Sequence, residues 1–258
     1  MLRTMLTVGI AGTVFLIALW VLLGLLGSRL DSHVIVVSAL MAIIPLFIIV
    51  PTFLWVDRFE AEPARYLLFA FLWGALVSVV AAYVLNTAGL LMLMRAQWVD
   101  PMQTGAIYLA PLSEETLKGL GILLIFLARR REFDGVVDGV VYAGMIGSGF
   151  AFSENVLYLG SAYTEYGTEG LTSTFIVRGL MGPFAHPVFT ACVGIGLGIA
   201  VTSRSPRARA TAIIARSDAR DARPLSDVQE EVAQRSGPIH QSESQAATDP
   251  LAAATDHR

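Results

Sequence analysis

Six residues combine types and spacings that suit chemistry in an apolar setting. Glu114, Glu115 and Lys118 fall in Ala110-Pro111-Leu112-Ser113-Glu114-Glu115-Thr116-Leu117-Lys118. Glu154 and Asn155 close the run Gly149-Phe150-Ala151-Phe152-Ser153-Glu154-Asn155, and His186 sits in Pro183-Phe184-Ala185-His186-Pro187. A carboxylate withdrawn from water holds its proton more tightly, which suits a general base near neutral pH. Such a group can deprotonate a water that attacks a peptide carbonyl, while His186 or Asn155 donates hydrogen bonds to the oxyanion that develops. The same atoms allow a second chemistry. Glu115, Glu154 and His186 form a carboxylate and imidazole set that could ligate Zn²⁺ with one position open. Residue types alone do not separate the two, although hydrolysis without a metal needs no cofactor.

These residues must be carried by membrane helices. The chain has 258 residues, of which 55% are hydrophobic and 15% charged, and its mean hydropathy is +0.63. A soluble domain carries about 25% charged residues. A spanning helix needs about 20 mostly apolar residues, and six segments qualify: 5–26, 34–56, 66–94, 105–128, 136–159 and 175–201. The expected fold is an all-α polytopic membrane helix bundle of about six transmembrane helices. Residues 1–203 form the membrane domain and 204–258 a polar, disordered tail with at most a short helix at 226–234. The first span reads as a retained helix and not as a removed signal peptide.

An ionisable group within a bilayer costs about 3 kcal/mol on insertion scales, so Glu114, Glu115, Lys118, Glu154 and His186 mark function by default. Lys118 is the only lysine among eighteen bases. A lone lysine at that depth points to a need for a compact point charge. It stands i+4 from Glu114 and i+3 from Glu115, so both can reach it on a helix. The two acids differ by about 100° around the axis, so one can pair with Lys118 while the other faces a cavity. Pro111 suits the first turn of a helix. The fourth segment is therefore expected to break there, with Ser113 as N-cap and the helix dipole favouring ionised glutamates. Asp134 and Asp138 read as a capping pair at the head of the fifth span. Gly144, Gly147, Gly149, Gly194, Gly196 and Gly198 read as close helix packing.

Several classes are excluded. The formal net charge is −3, and residues 204–258 hold eight Arg and eight acids. The excess negative charge therefore lies in the membrane part, against a nucleic-acid partner. Cys192 is the one cysteine, which removes disulfides and cysteine zinc sites. No Gly-x-Ser-x-Gly or His-Glu-x-x-His occurs. Arg3, Arg58, Arg65, Arg129, Arg130, Arg131, Arg204, Arg207 and Arg209 alternate onto one side, and Arg29, Arg95 and Arg178 fall on the other beside Glu165 and Glu169. The positive-inside bias then puts both termini in the cytoplasm of a multi-pass cell-membrane protein. Two other uses of the charges stay open. They could form a structural polar network, or Glu114, Glu115, Glu154 and Lys118 could be the relay of a proton-coupled transporter. Transporters commonly show inverted repeats, and none is visible between 1–100 and 101–203.

The pattern resembles the PrsW-type intramembrane proteases, within the wider group of CAAX-processing and bacteriocin-processing membrane proteases. The matching pieces are Glu114-Glu115-x-x-Lys118, Phe150-x-x-x-Glu154-Asn155 and His186-Pro187-x-Phe189-Thr190, with a linker at 55–63 of the kind such proteins carry. The resemblance covers about residues 50–201. It implies an intramembrane endopeptidase that makes a regulatory, site-1-type cut in a membrane-anchored protein such as an anti-sigma factor. Glu115 or Glu114 would activate water, and Glu154, Asn155 and His186 would position it or stabilise the oxyanion. It also implies further spans after 201 with a second intramembrane His near a Trp-Asn pair. Here the chain turns polar, and His240 and His257 lie in the tail. A chain that ends early, or does without those helices, is the expectation, and a catalytically inactive member is the third alternative. Substrate, cut site and oligomeric state are not legible.

Overall fold

Segments this apolar have nowhere to place backbone N–H and C=O groups in lipid except within helices. The computed structural model describes residues 2–58, 61–129 and 133–204, and no strand occurs among them. Helix α1 is Leu2–Gly27 and α2 is Ser32–Asp57. Helix α3 (Ala64–Leu72) continues through a π-helical turn, Trp73–Ser78, into α4 (Val79–Arg95). Helix α5 (Pro101–Thr104) continues through a second π turn, Gly105–Leu109, into α6 (Ala110–Ala128). Helix α7 (Val136–Phe175) passes into a third π turn, Ile176–Met181, and α8 is Ala185–Arg204. The fold is all-α, as expected. The tail beyond 204, with its expected disorder and short helix, lies outside the described residues.

Among the described residues, four helical stretches are long and apolar enough to cross a membrane: Val8–Gly27, Ser32–Asp57, Ala64–Arg95 and Val136–Val201. Two features separate this from the six expected. Segment 105–128 is helical, but Glu114, Glu115 and Lys118 lower its apolarity. The last stretch is 66 residues long, about 100 Å if straight at ~1.5 Å per residue. It is not straight: Gly167 takes φ 65° and ψ −147° inside α7, and residues 182–184 form a turn before α8. Leu16, Ile17 and Trp20 of α1 and Phe47, Ile48 and Trp55 of α2 are exposed. A surface that apolar suits lipid and not water.

The centre of the bundle is the first half of α7. Residues 141–151 are all buried, the pattern of a helix enclosed on every side. Helix α2 lies along it through one buried stripe, Val34, Ser38, Ala42, Pro45, Ile49, Phe53 and Asp57, at spacings of three and four. Glycine lets the other neighbours approach. A Cβ on Gly149 would overlap the Phe71 carbonyl, one on Gly74 the Ile146 carbonyl, and Gly139 and Gly194 would overlap one another's. Gly147 faces the His186–Pro187 backbone and Gly198 that of Val136, whereas Gly196 faces open space. Five of the six packing glycines are thus contacts between elements. Gly149→Val is expected to cost roughly 3 kcal/mol, the upper part of the overpacking range, since backbone cannot rotate aside. Thermal unfolding in detergent checks this, with Gly196→Val as the variant that should melt like the parent.

Polar ties hold the loops at one end of α7. Asp57 Oδ1 accepts from the Glu62 N–H at 3.0 Å, and Tyr142 donates its hydroxyl to Glu62 Oε2 at 2.6 Å. Arg129 stands 3.9 Å from the same carboxylate. Burial lifts the Glu62 carboxyl above the ordinary range, and the Tyr142 bond opposes that rise. Asp138 Oδ2 accepts from the Asp134 N–H at 2.9 Å, so the two aspartates meet at the head of α7, but the N-cap is Gly135 and no side chain caps the helix. The break expected at Pro111 does not. The helix runs on from the second π turn, and Ser113 donates to the Ala110 carbonyl at 3.0 Å and to Asn86 Oδ1 at 2.5 Å instead of capping. The cap lies at Asp100, whose carboxylate accepts from the Gln103 N–H at 3.0 Å. A π turn changes the hydrogen-bond register by one residue, and this one ends where Pro111 lacks a donor.

Candidate active site

Local helix geometry builds the first half of the site. Spacings of three and four bring Lys118 Nζ to 2.8 Å from Glu115 Oε1 and 3.8 Å from Glu114 Oε2. The lysine is wholly buried. Its ammonium lies 3.7 Å from the centre of the Phe150 ring and 3.1 Å from His186 Nδ1. Removing an ammonium from water costs several kcal/mol. Two carboxylates and an aromatic face offset that cost here. The first π turn fixes the height of α6 beside them, because Trp73 Nε1 donates to the Leu117 carbonyl at 3.1 Å.

Tertiary structure supplies the second half. The turn at 182–184 starts α8 beside α7, and Pro187 is tolerated because it falls in the first helical turn. His186 Nε2 then lies 2.7 Å from Glu154 Oε2. Arg178, from the third π turn, reaches the same oxygen at 2.5 Å and donates through Nε to Asn155 Oδ1 at 2.9 Å. Thr190 donates to Glu115 Oε2 at 3.1 Å. An ammonium only donates, so His186 Nδ1 accepts from Lys118 and Nε2 carries the proton given to Glu154. The imidazole is thus oriented by a partner at each ring nitrogen.

The six residues expected from sequence come together: Glu115, Lys118, His186 and Glu154 form a continuous chain of contacts that Arg178 extends to Asn155, with Glu114 beside Lys118. The side chains of Glu114 and Glu115 are 15% and 28% exposed, so neither is fully enclosed by protein. A cavity of about 210 Å³ opens against Asn155, Arg178 and His186, its other walls being Ala151, Val177, Gly182, Pro183 and Ala185. Three participants had no place among the expected site residues. Arg178 was placed with the charges outside the membrane, while Phe150 and Thr190 lie one helical turn before Glu154 and after His186. That i−4 and i+4 placement was the available signal.

A Zn²⁺ ion on Glu115, Glu154 and His186 does not fit this arrangement. A ligating imidazole must offer a ring-nitrogen lone pair. One ring nitrogen of His186 faces Glu154 and the other faces the Lys118 ammonium. Glu115 is held by Lys118 and Thr190, and Glu154 by Arg178 and His186. Among the described residues no group of three or more His, Cys, Asp or Glu is placed to hold a metal ion.

Residues 62–217 match the profile of a family described as PrsW family intramembrane metalloprotease, a span that contains every site residue above. The chain is 32% identical over 145 residues to Protease PrsW of Geobacillus kaustophilus, covering 55% of this chain and 57% of that protein. It is 30% identical over 159 residues to Protease PrsW of Clostridioides difficile, covering 60% and 62%. A third match, to Protease PrsW of Oceanobacillus iheyensis, is 32% identical over 103 residues and covers 40% and 44%. The alignments thus span about half the length of these curated relatives. No solved structure matches significantly.

Proposed function

The chain belongs to the PrsW protease family, and from that premise we propose that it is an intramembrane endopeptidase. It hydrolyses peptide bonds of membrane-anchored proteins in a regulatory, site-1-type cut, an anti-sigma factor being the kind of substrate meant. The observation that supports this most is the joining of acids, an amine and an imidazole from separate helices in one hydrogen-bonded network beside a cavity. Family membership favours the protease over the transporter relay.

The roles follow from which atoms are already engaged. Both oxygens of Glu115 accept from donors, whereas Glu114 has only a contact of 3.8 Å with Lys118. Glu114 is then the carboxylate freer to take a proton from water, and Glu115 anchors Lys118. The resulting hydroxide adds to the scissile carbonyl carbon. The Asn155 amide has its oxygen turned to Arg178, which leaves its N–H groups to stabilise the oxyanion. Collapse breaks the C–N bond, and the amine leaves with the proton returned from Glu114. His186 and Glu154, locked in one tautomeric pair, position the reacting groups.

The test is cleavage of a tagged single-span substrate by the full chain in liposomes. Cleavage that persists in excess EDTA and phenanthroline is the expected result, because the donor set does not fit a metal. Full inhibition, reversed by added zinc, would assign the hydrolysis to a bound metal instead.

Six spans with both termini in the cytoplasm complete the proposal. Single cysteines in a Cys192→Ser background report the topology. Ser28→Cys and Gln97→Cys are expected to label from outside the intact cell, and Arg58→Cys only after permeabilisation. External labelling at Arg58→Cys would reverse the orientation.

A further inference from the structure

We propose that Arg178 is a positioning residue of this site, whose guanidinium holds Glu154 and Asn155 together and so sets the orientation of His186. The proposal rests on the hydrolase reading above for its catalytic consequence, but its structural content can be tested separately.

Arginine suits the place better than lysine would. The Nε and terminal N–H groups of a guanidinium lie along one edge of a rigid plane, so a single residue can satisfy two neighbouring acceptors. Here those acceptors are consecutive residues of α7: Glu154 Oε2 at 2.5 Å and Asn155 Oδ1 at 2.9 Å. The plane is supported from the side by the Tyr158 ring, 4.0 Å from the guanidinium carbon. Its backbone is held as firmly. The third π turn is closed by the Gly182 N–H bonding to the Val177 carbonyl at 2.9 Å. A Cβ on Gly179 would press on the Phe175 ring and on Pro45, so the turn is seated against α2.

Two consequences follow for the chemistry. Glu154 Oε2 is shared between Arg178 and His186 Nε2. The guanidinium keeps that carboxylate an acceptor, which obliges the imidazole to present its N–H there and its lone pair to Lys118. The bond from Arg178 Nε to Asn155 also decides which way the amide faces, since a donor can meet only its oxygen. Without Arg178 the amide can rotate half a turn and withdraw its N–H groups from the cavity. Arg178 thus acts through Asn155 and His186. A simple ion pair between α7 and the turn before α8 would stabilise the bundle, but would have no bearing on tautomer or turnover.

The experiment uses the full chain in liposomes with the single-span substrate, and Arg178→Ala and Arg178→Lys as variants. The expected result for Arg178→Ala is a fall in kcat of about 100-fold, the scale of losing one oxyanion donor, with KM little changed. Added guanidinium restores part of the rate, and Arg178→Lys gives an intermediate rate because an ammonium meets only one of the two acceptors in this geometry. In parallel, ¹⁵N-histidine NMR, with the His186 signals assigned through His186→Gln, reads the imidazole directly. The parent shows the neutral tautomer protonated at Nε2, and Arg178→Ala loses that single state. An Arg178→Ala protein whose His186 signals match the parent overturns the proposal. So does a rate loss that guanidinium and Lys both fail to restore and that tracks a lowered melting temperature. A parent chain that cleaves nothing would sink the hydrolase reading alone, and the histidine signals would still decide the placement of Arg178.

Discussion

Glu114→Gln is expected to lower substrate cleavage by about 10²–10⁴-fold, the usual contribution of a positioned general base, while the protein remains folded. Gln keeps the volume and one carbonyl acceptor but cannot take a proton from water. Little stability should be lost with it, because Glu114 contributes to the network only through a distant contact with Lys118. Glu115→Gln is the informative partner. Its amide could still accept from Thr190 or from Lys118, but its NH2 group would face the other donor, so the variant disturbs one of these two partners. We expect it to lose activity together with melting temperature, whereas Glu114→Gln loses activity alone. Initial rates and detergent melting curves on the same preparations measure both. If Glu115→Gln were dead at parental stability and Glu114→Gln fully active, the two roles would exchange. If both cut at the parental rate, the carboxylate mechanism would be rejected.

Lys118→Met should be the most destabilising single substitution at the site. Met matches the length of the side chain and fills the space against Phe150, so packing is largely kept and the missing charge is isolated. Removing one partner of a buried pair costs about 3–5 kcal/mol because the remaining charge is left uncompensated. The lower end applies here, since Glu114 and Glu115 are only partly buried. Lys118→Arg keeps the charge but places a broad plane where a wholly buried point charge lies 3.7 Å from an aromatic ring. It is expected to fold better than Lys118→Met and still cut slowly, because the donor to His186 Nδ1 moves. Chemical or thermal unfolding gives the stability order, and rates in liposomes give the second effect. A Lys118→Arg protein equal to the parent in both would show that no compact ammonium is required.

How far the site was readable depended on the range of the interaction. Lys118 with Glu115 and Glu114 was legible because helix periodicity makes i+3 and i+4 neighbours of them. His186 with Lys118 is a contact across 68 residues, and only the cost of burying charge suggested that the two should meet. Arg178 read as a boundary charge on the outer side because it stands near the start of the segment 175–201, opposite the arginine-rich side. Its position in a π turn folded back onto α7 placed it in the site. Six apolar segments were recognised by length, yet apolarity selects four stretches, since functional charges dilute one helix and the last stretch folds on itself at Gly167 and 182–184. The break expected at Pro111 failed because a π turn accommodated the proline.

Composition by itself determined that this chain is helical and built for lipid, and that charges stranded in apolar runs would seek one another. Those conclusions need only transfer energies and a 3.6-residue period, both of which act over a few neighbouring residues. The tertiary structure alone decided which carboxylate has a free oxygen, which nitrogen of His186 faces Glu154, and that an arginine completes the network. Those outcomes depend on ångström distances between segments far apart in the chain, which are set by glycine contacts and turns whose combined geometry no local pattern encodes.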